Sequence, residues 1–238
     1  MILIGIDLAW GEKKRDGVCA IEAKIKQSRV LGYDYPQGDD ALVRCVENFS
    51  KKEKGVFLTI DAPIVCPNVR GTRPVDRLTH RMFHQEHAAC HPAYLEKCPR
   101  PARVLKRLEK IGFQAGWNIS AKQHTACEVY PHPAMVRLFE LPRIIKYKKG
   151  SVADRRKEFQ RLQRCLTQFS KKHFPELEIG SQTKTFLKTS WDKETEDHLD
   201  AFFCALIGLW RWKYGENRSE VIGDLKTGFI LLPNIKGK

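Results

Sequence analysis

The chain has 238 residues, with 42 Lys or Arg against 28 Asp or Glu, so its formal net charge is +14. This length suffices for a full hydrophobic core in one α/β domain. No run approaches the roughly 18 consecutive apolar residues of a membrane span, and the apolar start, Met1–Leu8, is too short for a signal peptide. We therefore expect a cytoplasmic protein without a membrane partner. The clustered basic excess favours nucleic acid as partner, and a lysine-rich surface without a partner is the alternative.

The eight cysteines include no Cys-x-x-Cys pair, and most stand among apolar neighbours. Free cysteines are among the most buried residues of intracellular proteins. We expect reduced packing residues rather than a disulfide framework.

The first sixty residues predict three short strands, a helix and a fourth strand. Alternating or β-branched apolar runs place the strands at Met1–Leu8, Gly17–Ala23, Gln27–Tyr35 and Gly55–Asp61. The helix opens after Gly38 and carries its apolar residues on one face. The pattern indicates three antiparallel strands, a crossover helix and a further strand in an α/β fold.

Residues 62–125 differ in composition, being rich in Pro, Arg, His and Cys, and predict an insertion with two or three helices. A further strand is predicted at Cys127–Pro131, a basic helix at Val152–His173 and an apolar helix at Glu194–Tyr214. Residues 220–233 predict a closing hairpin. No internal repeat divides the chain, so a single domain over residues 1–238 is expected.

Acidic residues stand at or near the ends of three predicted apolar strands, namely Asp7, Asp61 and Glu128. Gly5 lies on the same strand face as Asp7, which predicts free space beside that carboxylate. Buried, unpaired carboxylates cost several kcal/mol each. A hard divalent cation with oxygen ligands would compensate them.

A second acidic pair, Asp197 and Asp200, lies three residues apart on one face of the apolar helix. Small residues further along this face, Cys204 and Gly208, predict a close approach of the helix to the sheet. Structural alternatives remain open. Asp197 could complement a helix N-terminus, Asp7 and Asp61 could cap turns, and Glu128 could pair with an Arg.

Five segments together resemble the uncharacterised family described as predicted RNase H-like nucleases: GIDLAWG, TIDAPI, RPVDR, EVYPHPA and EDHLDAFFCALIGLW. The resemblance covers nearly the whole chain. It implies an RNase H-like mixed five-stranded sheet flanked by helices, with a helical insertion after the fourth strand and a C-terminal hairpin.

Holliday-junction resolvases of the same superfamily are similar in their acidic residues. Asp7 and Asp61 match the acids on their first and fourth strands, and Asp197 with Asp200 matches the pair on a late helix. The chain departs from them in carrying Asp instead of Glu on the fourth strand, in Glu128 and in the large insertion. The resemblance implies a nuclease in which these four Asp residues hold Mg²⁺ or Mn²⁺, with Glu128 as an outer ligand or water-orienting group.

Basic residues form two candidate phosphate-binding groups. Between residues 143 and 172, eleven Lys or Arg face two acids, which favours contacts to a phosphate backbone over a merely solvated face. In the insertion, Arg side chains directly follow the Asp61 strand, where either substrate phosphates or an internal Arg–Asp network would use them. The candidate substrate-binding residues are Arg70, Arg73, Asp76, Arg77, Lys148, Lys149, Arg155 and Arg156.

Four histidines, His80, His84, His87 and His91, follow one another at helical spacings and predict one shared helix face. An i, i+4 pair can bind zinc. The segment lacks the spacing of a zinc module, so substrate contact or packing is favoured over zinc.

Two other functions keep the same fold. One is a nucleic-acid-binding module with a degenerate site, and the other is an ATP-dependent phosphotransferase related to the sugar kinase and actin-like core. The cluster of carboxylates argues against the first. The chain has room for only one domain of this kind and lacks a glycine-rich phosphate loop, and both points argue against the second.

Overall fold

The computed structural model describes residues 1–51 and 53–237. Its strands are β1 (Ile2–Asp7), β2 (Gly17–Glu22), β3 (Ser28–Asp34), β4 (Val56–Ile60), β5 (Phe113–Ala115), β6 (His124–Glu128), β7 (Leu177–Glu178), β8 (Ser219–Asp224) and β9 (Gly228–Pro233). Its α-helices are α1 (Asp39–Ser50), α2 (Pro74–Phe83), α3 (Arg100–Lys110), α4 (Pro131–Leu138), α5 (Val152–His173), α6 (Gly180–Phe186) and α7 (Lys193–Tyr214).

A mixed sheet organises the molecule, with the strand order β5-β6-β4-β1-β2-β3-β7. Strand β2 runs antiparallel to both of its neighbours, whereas all other adjacent pairs are parallel. The predicted α/β class, the three antiparallel strands, the crossover helix and the fourth strand are confirmed. Strands β8 and β9 form the predicted hairpin as a separate sheet.

The predicted count of five strands is wrong, because the sheet has seven strands among the described residues. The additional strands, β5 and β7, have three and two residues, which is too short for an alternating pattern to be recognised. Strand β6 also starts at His124, before its predicted position at Cys127. It ends at Glu128 instead of Pro131, because Pro131 begins helix α4.

Helix α7 packs against the centre of the sheet at very short distance. A Cβ atom added at Gly5 would overlap the helix backbone at Ala201 and Ala205. The hydroxyl of Thr59 on β4 donates a hydrogen bond of 2.7 Å to the carbonyl oxygen of Cys204. The predicted close approach is therefore confirmed, whereas the free space predicted beside Gly5 is filled by the helix.

The opposite face of the sheet is covered by helices α1 and α3 and carries a buried ion-pair network. Arg100 of α3 donates hydrogen bonds to Asp16 and to Asp39, with distances of 2.6 and 2.9 Å. Asp16 also accepts the backbone N–H of Ala9. This network fixes the loop that follows β1, and with it the end of the strand that carries Asp7.

None of the helices described within residues 1–51 and 53–237 is both long and apolar enough to traverse a bilayer.

Candidate functional site: carboxylates around a lysine

The carboxyl ends of neighbouring parallel strands bring acidic residues to one edge of the sheet. Asp7 is the last residue of β1, and Asp61 directly follows β4, its parallel neighbour. The backbone N–H of Asp61 donates to the carbonyl oxygen of Ile6 at 2.9 Å. Asp200 reaches the same sheet edge from helix α7. One helical turn after Asp200, the hydrogen bond from Thr59 to Cys204 fixes this helix against the sheet. The three carboxylates therefore lie within electrostatic reach of one another.

Lys148 forms an ion pair with one of these carboxylates, that of Asp200. Its Nζ is 2.7 Å from Oδ2 of Asp200, and its positive charge partly offsets the rise in pKa that burial causes at Asp7, Asp61 and Asp200. The hydroxyl of Tyr147 donates a 2.6 Å hydrogen bond to the other oxygen of Asp200. Oδ2 of Asp200 is buried and has no well-directed hydrogen bond from the residues that the structure describes. One carboxylate oxygen of Asp200 therefore accepts a hydrogen bond from the neutral hydroxyl of Tyr147. The other oxygen interacts with Lys148 through charge alone.

Burial is the largest influence on the ionisation of the three acids. Desolvation raises the pKa of Asp7, of Asp200 and of Asp61, the last to about 7, and the nearby carboxylates raise the pKa of Asp7 further. Burial opposes the charge of Lys148 as well, but the surrounding acids raise the pKa of its ammonium well above the usual value. Three buried carboxyl groups therefore lie within electrostatic reach of one ammonium, and such a group of acids favours protons or cations.

The donor set suits a hard divalent cation, but its arrangement does not fit one. Mg²⁺ prefers carboxylate oxygens, and Asp7, Asp61 and Asp200 supply them. Across residues 1–51 and 53–237, however, no three His, Cys, Asp or Glu side chains are grouped so that they could hold a metal ion. Asp200 is instead paired with the ammonium of Lys148.

Asp197 lies beside this cluster but has its own partners. Its Oδ2 accepts a 2.7 Å hydrogen bond from the hydroxyl of Tyr35, and its Oδ1 accepts one of 2.6 Å from Lys193. Its negative charge still raises the pKa of Asp7. A direct metal contact by Asp197 stays a prediction, and in this arrangement both of its oxygens are engaged.

Glu128 ends strand β6 at the same sheet edge and is paired with an arginine. Arg73 donates two hydrogen bonds to it, of 2.7 and 2.9 Å, and a further one of 2.8 Å to Asp76. Asp76 also accepts the backbone N–H of Ala93. All three charged side chains are buried, and burial raises the pKa of Glu128 to about 7 against the opposing charge of Arg73. Arg73, Asp76 and Glu128 therefore form an internal ion-pair network. The sequence had left such an Arg–Asp network open as the alternative to substrate binding by Arg73 and Asp76.

The remaining predicted substrate-binding residues lie mostly at the surface. Arg70 pairs with Glu96 in solvent, and Arg77 donates a hydrogen bond to the carbonyl oxygen of Thr72. Arg155 stacks on the ring of Trp191, with 5.2 Å between the guanidinium carbon and the ring centroid. Lys149 and Arg156 are exposed. Lys148 differs from them, because it is turned into the carboxylate cluster.

A basic cleft lies next to the acidic cluster. Its volume is about 790 Å³, and its lining includes Arg77, His80, Arg81 and His91. A smaller cavity of about 50 Å³, bordered by Asp61, shares three lining residues with it. The two cavities are therefore adjacent, and Asp61 borders the smaller of them.

The shared helix face predicted for four histidines is wrong beyond the second of them. Helix α2 ends at Phe83, and His87 has a left-handed backbone with φ of 57°. The rings of His80 and His84 stack with 5.6 Å between their centroids. His87 and His91 lie outside the helix.

Lys148 and Tyr147 are the site residues whose roles the sequence did not reveal. Both stand in a run of basic residues that resembles a phosphate-binding surface. The one available signal is the alternation of apolar Ile145 and Tyr147, which are buried, with Lys146, which is exposed, and it indicates that this segment runs along the core.

Fold and site together define an α/β protein with carboxylates gathered around a lysine at the carboxyl edge of a mixed sheet. The family model described as "Protein of unknown function (DUF429)" matches residues 5–224, and the chain belongs to this family. The matched range includes Asp7, Asp61, Lys148 and Asp200. No curated protein matches the chain.

Proposed function

We propose that the protein is an RNase H-like nuclease that hydrolyses phosphodiester bonds of nucleic acid with Mg²⁺ or Mn²⁺. The observation that carries the proposal is the meeting of Asp7, Asp61 and Asp200 at one sheet edge, where three buried carboxyl groups lie within electrostatic reach of one ammonium. A structural ion pair needs one carboxylate per ammonium. The additional carboxylates gain a role when a divalent cation and a substrate phosphate share the site.

Asp7, Asp61 and Asp200 are the residues that would hold the cation, although their side chains are not grouped for metal binding in this structure. When bound, a divalent cation lowers the pKa of a water and stabilises the leaving oxygen of a phosphodiester. The chain supplies the positioning: Tyr147 orients Asp200 through its hydrogen bond. Lys193 and Tyr35 hold Asp197 beside Asp7, where its charge adds to the pull on cations.

The surface around the site supports a polyanionic substrate. Lys146, Lys149, Arg156 and Lys157 are exposed close to Lys148 in sequence, and the formal net charge is +14. Guanidinium and imidazole groups line the neighbouring cleft, and Arg presents a fork of donors that matches phosphate oxygens. A cytoplasmic location is part of the same proposal, because its nucleic acid substrates are found there.

Metal-dependent cleavage tests this proposal. Labelled single-stranded DNA, duplex DNA, a four-way DNA junction and RNA are incubated with the protein in Mg²⁺, in Mn²⁺ and in EDTA. We expect shortened products from at least one substrate with either metal, and cleavage at background level in EDTA. Intact substrates under all metal conditions would contradict the proposal.

A nucleic-acid-binding module without catalysis is the second candidate, and the contact of Lys148 with Asp200 favours it, because this ion pair occupies the site. The same substrates distinguish the two. Binding that weakens steeply with salt and is accompanied by no cleavage would support the binding module. Including ATP among the substrates tests the phosphotransferase alternative.

A further inference from the structure

Trp10 presents an aromatic ring to solvent on the loop that follows β1. Among residues 1–51 and 53–237 it is the only Phe, Tyr or Trp in an exposed position, at 38% exposure. The ammonium of Lys97 lies 5.6 Å from the centre of its ring. A single exposed apolar residue is ordinary on a protein surface, so the surroundings of the ring decide whether it has a role.

The loop holds Trp10 in a fixed place. The backbone N–H of Ala9, the preceding residue, donates to Asp16 at 2.9 Å, and the carbonyl oxygen of Ala9 accepts from Arg100. Asp16 and Arg100 are both buried. Because both backbone groups of its neighbour are bound to buried charged side chains, Trp10 is presented on an ordered loop, and a preorganised surface loses little entropy on binding.

The ring borders the small cavity next to the basic cleft. Trp10, Asp61 and His91 all line this cavity of about 50 Å³, and His91 also lines the cleft of about 790 Å³. An aromatic ring, a carboxylate of the acidic cluster and the basic cleft therefore adjoin one another.

The cleft offers cations to a ligand. Arg77, His80 and Arg81 follow one another at helical spacing on α2 and are exposed. Asp76 is the one acid among the described lining residues, and it is paired with Arg73. The lining therefore carries an excess of positive charge, which suits phosphate groups.

We infer that Trp10 and the basic cleft form one binding site for an unpaired nucleotide, with the nucleobase stacked on the Trp10 ring and the phosphates contacted by Arg77 and Arg81. Aromatic rings beside a cationic groove bind single strands without regard to sequence, because every base has a flat face. In a duplex the faces of each base are covered by neighbouring bases, so a base reaches the ring only when it is unpaired or turned out. The inference deepens the proposed function and rests on it for the choice of nucleic acid. It names single-stranded or locally opened strands as the substrate class.

The test is a set of fluorescence anisotropy titrations of the full chain in EDTA, with three labelled ligands of equal length. They are an oligothymidylate, an abasic strand with the same backbone and an intact duplex. Trp10→Ala removes the ring, and Trp10→Leu keeps an apolar side chain without a flat face. Met82→Ala is the matched control, because Met82 is a 40% exposed apolar residue of α2 outside the lining of both cavities.

We expect Trp10→Ala and Trp10→Leu to bind the oligothymidylate about tenfold more weakly than wild type, the effect of losing one stacked base. Both should bind the abasic strand and the duplex within about twofold of wild type, and Met82→Ala should do so for every ligand. Arg81→Met should weaken binding of the oligothymidylate and the abasic strand alike, and reduce the salt dependence by about one phosphate contact.

Unchanged oligothymidylate binding by Trp10→Ala would overturn the inference, and so would an equal loss on the abasic strand or no binding of the oligothymidylate by wild type. If Trp10→Ala does not fold, Trp10→Leu decides by the same comparison. Failure of both to fold would also overturn it, because an exposed ring that serves a ligand is not needed for folding.

These titrations are separate from cleavage. Base-dependent loss of binding in Trp10→Ala, with no cleavage by wild type, would retain the stacking site and reject the nuclease. Metal-dependent cleavage together with binding that does not depend on Trp10 would reject the stacking site alone.

Discussion

Replacing Asp7 with Asn is expected to lower the proposed metal-dependent cleavage rate by roughly a thousandfold, or about 4 kcal/mol of transition-state stabilisation. Asp7 is the last residue of the central strand β1, where burial and the charges of Lys148, Asp200 and Asp61 influence its pKa. Asn keeps the shape of the side chain but removes the negative charge that a cation requires. The measurement is the initial cleavage rate at saturating Mg²⁺, with the thermal midpoint recorded in parallel.

Asp34→Asn is the matched control, because Asp34 ends strand β3 at the same edge of the sheet but is exposed. We expect cleavage within about twofold of wild type, since screening weakens the influence of a distant surface charge. The Asp7→Asn protein should melt within a few degrees of wild type, because it loses repulsion among acids as well as attraction to Lys148. Near-normal cleavage by Asp7→Asn would remove Asp7 from the proposed role.

Arg73→Met destabilises the fold by about 3–5 kcal/mol, the usual cost of breaking a buried ion pair on one side. Arg73 is 2% exposed and joins Glu128 to Asp76. Without it, both carboxylates lose their partner while remaining out of water. The free energy of unfolding from urea titrations measures the loss.

The free energy of unfolding lost in Arg73→Met should be larger at pH 8 than at pH 5.5. Burial already raises the pKa of Glu128 to about 7, and removal of Arg73 raises it further. A carboxyl whose pKa is raised by folding stabilises the folded state below its unfolded value, 4.5, and that contribution fades as the pH rises through the folded value. If the difference in free energy of unfolding between wild type and Arg73→Met is the same at both pH values, Glu128 is not left unpaired in the variant.

Arg70→Met provides the control for the loss of an arginine ion pair. Arg70 belongs to the same insertion and pairs with Glu96, but its side chain is 80% exposed. Exposed pairs contribute about 1 kcal/mol or less. A deficit of Arg73→Met as small as that of Arg70→Met would show that the buried network does not anchor the insertion.

Strand ends were the most predictable part of the site. The runs before Asp7 and Asp61 are apolar and bounded by turns, and parallel neighbours end at one edge of a sheet, so the sequence alone indicated that these acids meet. Asp200 was indicated by its apolar neighbours on a long helix. The predicted and observed limits of α5 coincide at Val152–His173, because a capping Ser151 and a Pro after the helix mark its ends.

The partners of the acids were not predictable, since they depend on tertiary contacts. Lys148 stands in a basic run whose other members face solvent, and nothing in its local pattern distinguishes the one that turns inward. Arg73 likewise resembles Arg70 and Arg77 in sequence, yet it alone of these three is buried. The space expected beside Gly5 was misassigned because a missing side chain serves close helix packing as readily as ligand access.

The proposed metal site is tested most directly by a crystal structure of the protein grown with Mn²⁺, with data collected at the manganese absorption edge. We expect an anomalous peak within about 2.0–2.3 Å of carboxylate oxygens from Asp7, Asp61 and Asp200. Manganese bound elsewhere at saturating metal, with no peak at these three acids, would contradict the account.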